Sequence, residues 1–378
     1  MKADKRSPEA LRAHCCGLLA GHADGGAEAA LWEHAWREGV GACLWHALEG
    51  RIAMDAEVFD THVRQPLRVQ TTQALRQRRA LGELLAALRG RDIPCFVLRG
   101  ASLAETLYDR PALRPQTDID LLVAGADLDA AASAAGDIGF RALPEHPQLL
   151  LRADGALLDL HADPLDMDRI RAWSHLTPLR TKDFFVEARE GQLADAPALL
   201  APDELLMPYL CFHAMKHSFE RLIWLWDIAL LARRIEARGD WDAVLAGARR
   251  WRLERPCYYA LAYAARHLDA PVPDPVLAEL APRMDWRERA LFARVMAHEV
   301  VPFLAERLFA RMMPDARTRL AFWRETIVPR ESVRRQIADG EGCARCQFIR
   351  KRLGQAWRLL RTLGREVAGW GRAAIRRV

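Results

Sequence analysis

Residues 115–125 read PQTDIDLLVAG, with Asp118 and Asp120 one residue apart at the entrance of an apolar run, Leu121, Leu122 and Val123. In an extended strand alternate side chains point the same way, so the two carboxylates share a face and Ile119 and Leu121 take the other. Carboxylates this close repel, and one pKa rises unless a cation sits between them. A divalent ion such as Mg²⁺, held through carboxylates and substrate phosphates, suits that position. A third carboxylate stands in LLDLHADP, where Asp159 and His161 alternate with Leu158 and Leu160 and so project from one strand face. Three carboxylates on neighbouring strands can hold two Mg²⁺ ions. One activates an attacking hydroxyl; the other orients a triphosphate and stabilises the leaving pyrophosphate.

Phosphates also need donors. Gly100, in RGAS, offers a bare backbone at a strand-to-helix turn, and the helix start behind it points N–H groups at anions. Ser102 can cap that helix or touch phosphate, and Arg99 and Arg114 can neutralise charge. A second basic group lies in CFHAMKHSFERLIWLWDIALL, where His213, Lys216 and His217 fall on one helical face. One reading takes Lys216 to the triphosphate and the histidines to a cleft; the other makes them a polar helix edge with a packed histidine. Asp227, in the Trp- and Leu-rich part of that segment, reads as a buried structural acid bonded to a histidine or a backbone group.

The elements that must position these groups are legible in outline. Residues 7–87 carry apolar positions at three- and four-residue spacing and read as helices. CFVLRG, starting at Cys95, is a short apolar run ending in glycine, as a buried strand would, and residues 102–108 supply one or two helical turns. DIDLLV is the next strand, DLDAAASAAGDIGF a helix closed by Gly139, and FRALP a short strand. LLLRADGALLDLHAD turns back on itself at Ala153-Asp154-Gly155, a hairpin signal. The proline-bearing ADAPALLAPDE reads as a linker, and from Glu204 the chain is helical again, with an interruption at residues 270–275.

The chain has 378 residues, 51% of them hydrophobic, enough for two or three packed units. Its net charge of +5 is uneven. Residues 344–378 hold ten Lys or Arg and one acid, Glu366; the remainder carries a net charge of −4. That tail, with Trp357, Leu360 and Trp370 among its arginines, suits an anionic membrane surface, nucleic acid or an acidic protein, or a helix packed on the body. The longest apolar helical stretch, from Leu222 to Ala232, is interrupted by Asp227 and falls short of the ~20 residues a membrane span needs. The start has no apolar core of signal-peptide length, and eight cysteines over this length make no disulfide framework, so a reducing cytoplasm is expected. Cys343 and Cys346 form a lone CxxC, and the HxxxH of His213 and His217 lacks a third zinc ligand nearby in sequence.

FVLRGASLAETLYDRPALRPQTDIDLLV, LLDLHAD and FHAMKHSFERLIWLWDIALL, taken in order, resemble the bacterial group of uncharacterised nucleotidyltransferase family proteins, within the superfamily that includes DNA polymerase β. The resemblance covers roughly residues 91–268. It implies an α+β fold: a small mixed sheet flanked by helices, with helical regions before and after it. We delimit an N-terminal helical region at 1–88, the nucleotidyltransferase core at 89–193, a helical domain at 194–327 and the basic tail at 328–378. The resemblance implies metal-dependent transfer of a nucleoside monophosphate from a nucleoside triphosphate (NTP), with Mg²⁺ or Mn²⁺ as cofactor. By position, Asp118 and Asp120 become metal ligands, Asp159 the third carboxylate and general base, and Gly100 the phosphate-loop glycine. Two departures bear on triphosphate grip: Ala101 follows Gly100 where the superfamily favours Gly or Ser, and Arg99 stands where relatives often carry Lys. Two other classes stay open: a catalytically silent relative that binds nucleotide or a partner, and a nucleic-acid-binding accessory protein using the tail. Carboxylates filled by arginines would favour the silent relative.

Overall fold

The computed structural model describes residues 7–144, 146–166 and 171–328. They form two compact units, one running through Asp166 and resuming from Thr177 to Glu299, the other taking residues 171–176 and 300–328. The expected tail, 328–378, lies outside the described residues from residue 329 onward, and so does the Cys343–Cys346 pair. No helix among the described residues is long and apolar enough to cross a membrane.

The first unit opens with helices α1 (Pro8–Leu19), α2 (Ala29–Arg37), α3 (Gly41–Leu48) and α4 (Ala56–Phe59), the last running through a π-helical turn, Asp60–Arg64, into the long α5 (Gln65–Arg89). Then come β1 (Cys95–Val97), α6 (Arg99–Leu107), β2 (Ile119–Val123), α7 (Leu128–Asp137), β3 (Phe140–Leu143), β4 (His146–Arg152), β5 (Leu157–His161), α8 (Thr181–Glu187), β6 (Arg189–Leu193) and β7 (Ala196–Leu200). The seven strands make one mixed sheet in the order β3-β4-β5-β2-β1-β7-β6. The fold is therefore the α+β architecture the sequence implied.

Side-chain periodicity sets the two faces of this sheet. On α5, Ala80, Leu81, Leu84, Leu85 and Leu88 recur at helical spacing and meet Ile119, Leu121, Val123, Leu158 and Leu160, all buried. Each such leucine stabilises the fold by about 1.5–3 kcal/mol through burial. Ala131, Ala134 and Ala135 of α7 join the same core. Alternation along β2 and β5 then sends Asp120, Asp159 and His161 to the opposite face. β2 and β5 run parallel with Asp120 opposite Asp159, so strand register alone makes the two acids neighbours. The expected hairpin joins β4 to β5, and Gly155 supplies its left-handed turn with φ of 87°.

The stretch read as a linker is a strand instead. β7 pairs antiparallel along its length with β6, which the sequence reading missed, and parallel with β1 only at Phe96↔Leu199. Proline, having no N–H to donate, is tolerated in this inner strand because Pro197 lies beyond the β1 ladder.

Helices α9 (Asp203–Lys216), α10 (Leu222–Arg238), α11 (Trp241–Arg250), α12 (Glu254–His267), α13 (Asp274–Leu280) and α14 (Trp286–Met296) complete the unit. The corner between α9 and α10 passes through Ser218 and Phe219, at φ of 56° and 54°. The N-terminal helices brace it. The Arg12 guanidinium donates to the carbonyl of Phe219 at 2.6 Å, and Glu38 accepts the backbone N–H of Leu222 at 2.7 Å through its carboxylate and that of Ile223 at 3.1 Å through its carbonyl. The second unit packs α15 (Leu304–Met312) and α16 (Ala316–Ile327) with a 3₁₀ turn, Arg171–His175, whose Trp173 ring lies 5.6 Å from that of Phe309.

Candidate functional site

Four elements bring charged side chains together at one end of the sheet: the start of β2, the end of β5, the first turn of α6 and the last turns of α9. Asp120 is the hub. Arg99 grips it with two nitrogens, Nη2 to Oδ1 at 2.5 Å and Nε to Oδ2 at 3.2 Å. His161 Nε2 lies 3.0 Å from Asp120 Oδ1 and 3.3 Å from Asp159 Oδ2, so one imidazole spans both carboxylates. His161 Nδ1 lies 3.4 Å from Asp166, which also takes the Lys216 ammonium; Lys216 donates further to the Leu165 carbonyl at 3.2 Å. On its other side Arg99 Nη1 donates to His213 Nδ1 at 2.8 Å.

The electrostatics follow from this packing. Burial works against a charge on Asp120, but Arg99 and His161 outweigh it and hold the carboxyl below its ordinary range. Burial would also lower His161; bonds to Asp120, Asp159 and Asp166 overcome that and push it up to about 11. At neutral pH an imidazolium therefore stands between the paired carboxylates. Asp118 moves the other way, raised by its burial and then by the charge of Asp120, although the Thr117 hydroxyl donates to it at 3.0 Å. His213 is pushed well down by burial and by Arg99, so it accepts from that arginine as a neutral ring.

The ligand atoms of Asp120, Asp159 and His161 lie within 4.8 Å of one another, close enough for a single ion. That group differs from the trio read in the sequence: Asp118 stands outside it and His161 inside. Of the expected phosphate contacts, Arg99 and Lys216 reach the cluster but are paired with Asp120 and Asp166. Arg114 does not join the carboxylates. It is sunk behind α6, paired with Asp227 at 2.9 Å, and Asp227 also accepts from Tyr108 at 2.5 Å. Asp227 is thus buried as expected, with an arginine and a tyrosine as partners in place of the expected histidine or backbone group. Gly100 lies directly against this pair: a Cβ there would come within 2.9 Å of Arg114 Nη1. Ser102 lies one turn into α6, and His217 is exposed with its ring 5.0 Å from Trp224.

Two residues here escaped the sequence reading. Asp166 ties Lys216 to His161 from a turn just after β5, at φ of 53°. Tyr209, four residues before His213 on the same stripe of α9, is buried, and among the described residues its hydroxyl has no hydrogen-bond partner. The helical spacing of Tyr209, His213 and Lys216 was the available signal for the second. Arg99 opens α6 with φ of 29°, a strained backbone for a residue with a side chain.

Acids paired on neighbouring strands, beside a helix start, an arginine and a lysine, are groups that metal-assisted phosphoryl transfer can use. Residues 27–269 match the model of the family described as uncharacterised nucleotidyltransferase, and the chain belongs to that family. The match spans the sheet, the acidic cluster and the helix carrying His213 and Lys216. A solved structure of the antibiotic-resistance factor ANT(2'')-Ia is similar at 20% identity and a TM-score of 0.33, covering 51% of this chain and 99% of that one. No curated protein matches.

Proposed function

We propose that the protein transfers a nucleoside monophosphate from an NTP, with Mg²⁺ or Mn²⁺, to a hydroxyl or phosphate of a small-molecule, peptide or protein acceptor. The observation that carries this reading is the in-register pair Asp120 and Asp159 with His161 across both. The donor set fits a divalent ion: two carboxylates suit Mg²⁺, and a neutral imidazole beside them suits Mn²⁺. Asp120 and Asp159 would hold the ion, with Asp118 next to them and His161 joining only after losing its proton. When bound, the metal supplies Lewis acidity and neutralises charge on the phosphates.

The side chains account for the remaining steps. Arg99 exchanges Asp120 for a phosphate oxygen, and Lys216 adds positive charge from α9. The first N–H groups of α6 and the Ser102 hydroxyl bind phosphate oxygens. The acceptor oxygen attacks the α-phosphorus, its proton passing to Asp159. The new P–O bond forms as the α–β anhydride breaks and pyrophosphate leaves. Incubating the protein with each labelled triphosphate, Mg²⁺ or Mn²⁺ and a host lysate should label an acceptor; no label with any triphosphate would end this reading.

A second reading has its own observation. Arg99 engages both carboxylate oxygens of Asp120, the arrangement expected of a catalytically silent, nucleotide-binding relative. Binding of an NTP without transfer in the same screen selects it.

A further inference from the structure

A groove of about 930 Å³ opens where α2, the π-helical turn Asp60–Arg64 and α5 meet the segment that leads into β2. On α5, Pro66, Val69, Gln70 and Gln73 follow one another at helical spacing along its wall, and Val69 is 71% exposed. Trp36 of α2 lines the groove too, and its ring is fixed twice over. The indole N–H donates to the His62 carbonyl of the π-helical turn at 2.7 Å, and the ring lies so close to Gly41 that a Cβ there would come within 2.3 Å of it. The lining carries one carboxylate, Glu33, and one guanidinium, Arg37, so it is close to neutral and does not draw in a polyanion.

The feature that calls for a ligand is Gln116. It lines the groove at 5% exposure, and among the described residues neither its amide N–H₂ nor its amide carbonyl has a hydrogen-bond partner. The amide is not sealed inside the protein either. Buried polar groups are ordinarily satisfied, so an open, unpaired amide in a groove wall awaits a partner from outside. The neighbouring amides complement it. Gln65 donates its N–H₂ to Asp60 at 3.0 Å and Gln70 donates its own to the Ala112 carbonyl at 2.7 Å, which leaves two side-chain carbonyls. Gln73 accepts from Arg76 at 3.3 Å, which leaves an N–H₂. Uncharged donors and acceptors are thus mixed beside an indole and two apolar side chains. Hydroxyls, which both donate and accept, carried on a ring with C–H faces, match that mixture. Every described lining residue lies on α2, the π-helical turn, α5 or the segment before β2, so a peptide finds no strand edge to pair with.

Resting on the transferase reading above, we propose that this groove binds the acceptor and that the acceptor is a neutral saccharide. The groove wall leads into the acidic cluster through residues 115–117. The Gln77 side chain donates to the Thr117 carbonyl at 2.9 Å, and the Thr117 hydroxyl donates to Asp118 at 3.0 Å. Asp118 stands two residues before Asp120, at the mouth of the same strand. A sugar held by the Gln116 amide and packed on Trp36 presents a hydroxyl at this end. That hydroxyl gives its proton to Asp159 and forms the new P–O bond as the α–β anhydride breaks and pyrophosphate leaves. Gln116 is then a binding residue for the acceptor, supplied by the segment before β2 and set apart from the charged groups that meet the donor.

The test is calorimetric titration of the full chain with maltotriose, cellotriose, mannotriose and chitotriose, followed by offering the same trisaccharides as acceptors with each labelled triphosphate and Mg²⁺. Wild type should bind and label at least one of them. Gln116→Leu removes the amide at similar volume, and Gln73→Ala shortens the half-buried α5 wall. Each should weaken trisaccharide binding about tenfold, the scale of one or two neutral hydrogen bonds, with triphosphate binding unchanged. Because the amide has no partner to lose, Gln116→Leu should keep or raise the melting temperature; a purely structural glutamine would lower it. Trisaccharides ignored by a wild-type protein that binds NTP, or bound equally by wild type and both variants, overturn the proposal and leave the transferase reading intact. A trisaccharide bound through Gln116 but never labelled, while a lysate species is, overturns the acceptor assignment. No label on any trisaccharide or lysate species removes the transferase reading itself, and the acceptor role with it.

Discussion

The chain contains two arginine–aspartate pairs on either side of the same short helix, α6, and they differ in everything but composition. Arg114 and Asp227 are 9% and 2% exposed, and Tyr108 completes the shell. Arg99 and Asp120 are 11% and 12% exposed, and each has a second polar neighbour within hydrogen-bond reach, His213 for the arginine and His161 for the aspartate. Breaking the first pair strands a charge in the interior. Breaking the second leaves Asp120 with His161 and Arg99 with His213, polar partners already at hand. An ion pair becomes part of a reaction when its members have somewhere else to go.

The largest expected effect separates the pairs by readout. Asp120→Asn should abolish transfer with little change in melting temperature, and Asp159→Ala should lower turnover by about 10²- to 10⁴-fold while most triphosphate affinity remains. Asp227→Asn should do the reverse, costing about 3–5 kcal/mol of stability in chemical denaturation. Transfer surviving in both Asp120→Asn and Asp159→Ala would erase the distinction.

Next in size is the exchange itself. Arg99→Ala should release Asp120 and tighten Mn²⁺ binding without nucleotide by about tenfold, ~1.4 kcal/mol, while weakening NTP binding. Mn²⁺ binding unchanged by that substitution would mean Arg99 does not compete for the carboxylate, and the silent reading would lose its main support. Arg114→Ala should leave Mn²⁺ binding alone and lower stability.

The smallest effect concerns histidines remote from both pairs. His34 and His298 are pushed down to about 4, chiefly by burial and then by nearby positive charge. Their folded values lie below the ordinary 6.5, so the folded state binds fewer protons than the unfolded one. The stability they confer is present above pH 6.5 and lost as pH falls from 6.5 towards 4. His34→Gln should flatten that part of the stability curve measured by denaturation across pH.

The acidic core of the site was legible because strand alternation is a two-residue rule: once DIDLLV and LLDLHAD are strands, Asp120, Asp159 and His161 share a face. Their pairing was not, since it depends on the β2–β5 register, a contact 39 residues apart between Asp120 and Asp159. Arg114 was misplaced for the opposite reason. Its position near the aspartates in sequence suggested phosphate, whereas its partner Asp227 sits more than a hundred residues on. The β6–β7 hairpin was hidden by Pro197, read as a breaker because only knowledge of where β1 stops shows that its missing N–H costs nothing there.

The brace at the corner after α9 gives this site an unusual dependence. The side chains of the acidic cluster lie between Arg99 and Lys216, but the bend that brings Lys216 to Asp166 is held by Arg12 and Glu38. A chain trimmed to its sheet and the two helices after it would keep the whole chemical inventory and lose the alignment. Residues 7–50 are the jig in which the proposed active end is assembled, and on that reading substitutions there would show up as lost turnover before they showed up as lost fold.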